Sequence, residues 1–119
     1  MDLIQIANEI QNRINLLAAG RKELQKRAET KAQSLGLYEK ELGITILKLE
    51  NGGIKEHEGQ DCTKIGKTNM EKIAKAICWD FKVEADLAEA THKNAIVGMQ
   101  SIQAELNALQ SLLKYLEEV

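Results

Sequence analysis

Proline is absent from this chain of 119 residues, and aromatic residues make up only 3% of it. Without proline, the strongest breaker of helices is missing at every position. So few aromatics leave little for a platform that stacks on nucleic-acid bases. Cysteine is scarce too. Cys62 and Cys78 stand sixteen residues apart, with no Cys-x-x-Cys and no His-x-x-x-His anywhere. A structural zinc needs four ligands at tight local spacings, so His57, Asp61, Cys62 and Cys78 are not read as a metal site. No large excess of either charge exists: the formal net charge is −2. A mildly acidic chain is poorly suited to wrapping duplex DNA, where phosphate neutralisation dominates.

Other absences concern location and chemistry. Met1–Ile10 contains Asp2 and Glu9 and no apolar leader core, so the chain is expected to be cytoplasmic, with reduced thiols. The span Asn94–Leu113 has one charge, Glu105. Its seven amide and hydroxyl side chains are wrong for a membrane span. Ile65-Gly66-Lys67-Thr68 ends like a phosphate-binding loop, but Asp61 stands where that motif needs its first glycine. No Ser/His/Asp arrangement or glycine-framed acid pair is visible. The expectation is a protein that is not an enzyme, with no cofactor and no metal.

What is present is apolar periodicity. Ala74, Cys78, Phe81, Ala85, Ala88, His92, Ala95, Met99, Ile102, Leu106, Leu109, Leu113 and Leu116 recur in steps of four and three. That spacing is the seam of a helix packed lengthwise on another. A second ladder runs Leu3, Ala7, Ile10, Ile14, Leu17, Arg21, Leu24, Ala28, Lys31, Leu35, Tyr38, Leu42, Thr45, Leu49. It predicts one helix over 2–49, about 70 Å long at ~1.5 Å per residue, with weak points near Gly36 and Gly43. Asn51-Gly52-Gly53 signals a stop, and residues 50–67 read as a glycine-rich loop. A short hairpin is weighed there, between 54–57 and 61–65. Thr68 and Glu71 match a capping box opening a helix over 69–118. Asp80 could cap a fresh start near 79–80, so one helix or two both fit.

The fold expected is therefore all-α: a single domain over 1–119, a long antiparallel helical hairpin with a possible short helix at its tip. Val83, Leu87, Ala90, Val97, Ala104 and Ala108 lie off the second seam. Helices with two apolar faces usually sit inside bundles. A homo-oligomer is expected, a dimer or higher, forming a helical bundle.

Few residues invite a functional reading. Cys78 falls on the seam as a small buried apolar residue, and Cys62 is expected as an exposed loop thiol. His92 is read as structural, paired with a polar neighbour or near a wet edge. Trp79 is either an interface anchor or a plug beneath the loop. The tip candidates for binding a partner are Ile54, Lys64, Lys67, Trp79 and Phe81. Arg21, Lys22, Lys26, Arg27 and Lys31 form a basic patch that could face nucleic acid, although Glu23 and Glu29 dilute it.

Several stretches carry a resemblance. They are Met1–Ala7, Lys72–Trp79, Asp86–Ala90, Lys93–Ile96 and Leu109–Ser111. Together they resemble a group of small all-helical proteins of temperate phages and prophages of Gram-positive bacteria. The resemblance implies a phage-encoded protein in the bacterial cytoplasm that acts by binding a host or phage protein. Such a protein inhibits a host defence or assists phage replication or recombination. It brings no catalytic residue. Two alternatives stay open: a nucleic-acid accessory protein using the basic patch, and an oligomer that sequesters a nucleotide signal near Lys64 and Lys67.

Overall fold

A computed structural model describes residues 1–118. The fold is an all-α helical hairpin. Helix α1 spans Leu3–Glu50, followed by β1 at Glu56–His57 and β2 at Gln60–Asp61. Helix α2 spans Lys67–Ile77, and α3 spans Trp79–Glu118. The chain divides into two compact units: Met1–Glu29 with the residues from Ala90 onward, and Thr30–Glu89.

The ends of α1 explain its length. Its start is a reciprocal capping box. The Gln5 backbone N–H donates to Asp2 Oδ1 at 2.8 Å, and the Asp2 N–H donates to Gln5 Oε1 at 2.9 Å. Its end is a Schellman motif. Gly52 takes φ +72°. The Gly53 N–H then reaches the Lys48 carbonyl at 2.7 Å, and the Gly52 N–H reaches Leu49 at 3.4 Å. Between these caps the helix is unbroken through Gly36 and Gly43, so the weak points expected there do not interrupt it.

In the first unit, α1 packs antiparallel on α3. Arg13 Nε donates to Glu105 at 2.7 Å, Gly20 lies against Met99, and Arg27 donates to the Thr91 carbonyl at 3.2 Å. Numbers rise by seven along α1 as they fall along α3. Ile6, Leu17 and Leu106 are buried here. Every rung of the ladder from Ala74 to Leu116 is buried or half-buried. The α1 ladder needs correction at five rungs. Ile6, Arg13 and Gly20 turn inward, while Leu3, Ala7, Ile14, Arg21 and Leu35 are exposed. The reason is that arginine stems tolerate a seam when their heads find partners at its edge. His92 is half-buried in its ladder, but its Nδ1 has no hydrogen-bond partner among the described residues.

The second unit holds two adjoining clusters. Tyr38, Cys78 and Ala85 are buried together, with Leu42 and Phe81 packed on them. Leu49, Cys62 and Ala74 are buried beneath the loop, flanked by Ile54, Ile65, Met70 and Ile73 among others. Thr45 is the one buried polar residue among those described, its hydroxyl 3.3 Å from Cys78 Sγ. Residues 50–67 do contain a hairpin, shorter than weighed. Glu56 pairs with Asp61 and His57 with Gln60 around Glu58-Gly59, whose φ values are +49° and +82°. Two successive positive φ angles are what a two-residue hairpin turn requires. The Cys62 N–H then bonds to the Lys55 carbonyl at 2.8 Å. That bond turns Cys62 inward to 2% exposure, correcting the expected exposed thiol.

Two boundaries also differ. Helix α2 begins at Lys67 with Gly66 as its N-cap and no side-chain cap. Thr68 therefore lies inside the first turn, and Glu71 bonds to Lys75 at 3.2 Å instead of closing a box. Residues 67–118 form two helices, separated at Cys78. The Cys78 N–H still bonds to the Ala74 carbonyl and its own carbonyl accepts from Lys82, so the joint leaves these groups satisfied.

Candidate partner-binding site

The joint at Cys78 sorts the aromatic residues around it. Cys78 is buried, and Phe81, three positions on, packs inward on Tyr38 and Ala85. Trp79 opens α3 between them and is 62% exposed. Of the two alternatives for this residue, the plug is ruled out: Trp79 belongs to neither buried cluster. A large indole left in water is unusual for a chain whose remaining described tip aromatics are buried or half-buried.

The other tip candidates separate. Lys64 and Lys67 are exposed. Ile54 and Phe81 are half-buried and committed to the two clusters. Asp61 shapes the loop before Lys64. Its carboxylate accepts the Thr63 hydroxyl at 2.6 Å and the Thr63 N–H at 2.8 Å. These bonds hold the Asp61 carboxyl below the usual carboxylate range, the hydroxyl contributing most. On α3, Lys82 bonds to Asp86 at 3.1 Å, which holds its ammonium above the ordinary range. The same ammonium sits 5.5 Å from the centre of the Tyr38 ring, a contact between a cation and an aromatic face. The spacing of Tyr38 and Lys82 gave no hint of it, because it depends on how the two helices align.

A shallow groove lies between the hairpin and α2, lined by His57, Gln60, Asn69, Lys72 and Ile73 among others. Its lining mixes both charges with amides and converges on no single chemistry. Among the described residues, no group of three or more His, Cys, Asp or Glu side chains is placed to hold a metal ion. No helix among them is long and apolar enough to cross a membrane.

The basic patch is less free than its sequence suggests. Arg27 bonds to Glu23 at 3.1 Å and to the Thr91 carbonyl. Arg21, Lys22 and Lys26 are exposed, while Lys31 is half-buried and belongs to the second unit. No protein family, no curated protein and no solved structure matches the chain.

Proposed function

We propose that this chain is a non-enzymatic interaction protein whose tip, centred on Trp79 with Lys64 and Lys67 in the same unit, binds a protein of a bacterial host or phage. The observation that carries this reading is the 62% exposure of Trp79. Tryptophan is the side chain most enriched among residues that dominate interface energies. Its place at a helix start, with polar groups satisfied behind it, presents it on a rigid support. The phage resemblance adds the setting: the bacterial cytoplasm, with the protein inhibiting a defence system or assisting replication or recombination.

The test is affinity capture from a Gram-positive lysate by the wild-type chain, Trp79→Ala and Ile4→Ala. Ile4 is 75% exposed and serves as a large apolar control far from the tip in sequence. A partner protein is expected to be retained by wild type and Ile4→Ala. Loss of a hot-spot tryptophan costs ~2 kcal/mol or more, so Trp79→Ala should weaken binding about 30-fold or more. Equal capture by Trp79→Ala, with unchanged helicity, would sink the reading.

A further inference from the structure

We propose that α3 pairs with the α3 of a second copy of this chain, antiparallel, about a two-fold axis beside Ile102 and Gln103. This does not depend on the tip reading above. The ladder that packs on α1 occupies one side of α3. At ~100° per residue, Val97 lies about 160° around the helix from both Ala95 and Met99, so it faces away from that ladder. From Ala90 to Tyr115, the residues in line with Val97 again recur in steps of four and three. All of them are exposed, and none is charged in a chain that is 29% charged. Two are large: Val97 is 59% exposed and Tyr115 64% exposed.

What selects a second copy is that this face complements itself in one orientation. About the proposed axis, Tyr115 faces Ala90 of the other copy and Val97 faces Ala108. A large side chain meets a small one at each place, as interdigitated packing requires. Asn94 faces Ser111, so an amide meets a hydroxyl that can satisfy it. At the centre Ser101 faces Ala104, and two small residues let the backbones approach. A parallel pair would set Tyr115 on Tyr115 and Ala104 on Ala104, crowding one layer and emptying another. Lys93 lies about 40° from Val97 and faces Leu112 of the other copy, its long stem carrying the ammonium out to water, while Lys114 lies about 100° away at the margin, where salt screens it. A strip ~39 Å long and ~10 Å wide buries roughly 800 Å² over both copies, less than the ~1,000 Å² of a stable specific interface. The association is therefore weak and transient.

Sedimentation equilibrium of the full chain from about 1 to 200 μM tests the pairing. The mass should rise from 13.3 kDa toward twice that value. Ala108→Glu buries a charge in the face and should leave a monomer of unchanged helicity. Gln110→Glu, off the face, should still dimerise. For orientation, Ala90→Cys and Tyr115→Cys are oxidised alone and mixed. Antiparallel pairing cross-links the mixture at least tenfold faster than Ala90→Cys alone. A monomer at every concentration, a dimer indifferent to Ala108→Glu, or efficient self-linking of Ala90→Cys would each overturn the proposal.

Discussion

Gly20 and Gly36 occupy the same helix, and alanine should stabilise at Gly36 but not at Gly20. At Gly36 a Cβ would meet nothing within 4 Å. Alanine there gains helix propensity, about 1 kcal/mol. At Gly20 a Cβ would overlap Met99 Sδ. The sulfur is in the middle of its side chain, with Cγ and Cε each 3.6 Å from the same point. Relief therefore needs a new rotamer for the whole residue. Overpacking of this kind costs ~1–3 kcal/mol. Set against the propensity gain of ~1 kcal/mol, Gly20→Ala should range from neutral to about 2 kcal/mol destabilising. The two glycine substitutions should then differ by ~1–3 kcal/mol, which is the clash itself. Met99→Ala removes a half-buried side chain and should cost roughly 1–2 kcal/mol. In the double variant the clash disappears, and alanine at position 20 should stabilise by about as much as at position 36. The coupling energy is thus ~1–3 kcal/mol. Urea unfolding followed by far-ultraviolet circular dichroism reads all four variants, at one protein concentration so that association does not enter. If Gly20→Ala stabilises as much as Gly36→Ala, the close approach of α1 and α3 at Met99 is wrong.

Two further outcomes follow from the second unit. Cys62 and Cys78 are each 2% exposed, so a thiol reagent should modify both roughly 100-fold or more slowly in native buffer than in concentrated urea. A cysteine reacting at its unfolded rate in native buffer would contradict the packing beneath the hairpin. The Asp61–Thr63 turn should weaken in acid. The folded carboxyl is held below its ordinary value, so its stabilisation is present above the usual carboxylate pKa and is lost as the pH falls through the lowered one. The Thr63 amide resonance should report that loss, and Asp61→Ala should abolish its pH response. A Thr63 resonance that ignores the acid range in the native chain would remove the hydrogen bonds from the account.

The second ladder was legible because its residues do one thing. From Ala74 to Leu116 the apolar positions are dense enough that one helical phase accounts for all of them. The first ladder was legible by half. Ile10, Leu17, Leu24, Tyr38 and Thr45 belong to it in sequence and structure. Between them the reading chose Ile14 over Arg13 and Arg21 over Gly20. Hydrophobicity favours the first choice, and the four-and-three spacing alone made the second. Neither registers that the guanidinium of Arg13 reaches Glu105 and that Gly20 makes room for Met99. Capping was misread for a related reason. Thr68 and Glu71 match the pattern, yet Asp2 and Gln5 make the box, because the pattern is shared by many segments that never cap. At the candidate site, Trp79 falls off the ladder between Cys78 and Phe81, and its exposure agrees with that phase, which the joint at Cys78 does not shift. Cys62 was missed because loop polarity says nothing about which residue a two-residue turn directs inward.

The Schellman end of α1 and the tight hairpin after it bear on the order in which this chain can assemble at least cost. Leu49 and Cys62 meet across 13 residues, Thr45 and Cys78 across 33, Arg27 and Thr91 across 64, and Arg13 and Glu105 across 92. Closing the widest of these loops first costs ~0.9 kcal/mol more entropy than closing the 33-residue one. Closing them in sequence from the hairpin outward makes each new contact a short extension of the last. By loop entropy alone, the least costly order of closure therefore runs from the turn glycines toward the contacts of widest separation, Arg13 with Glu105 coming last among those named.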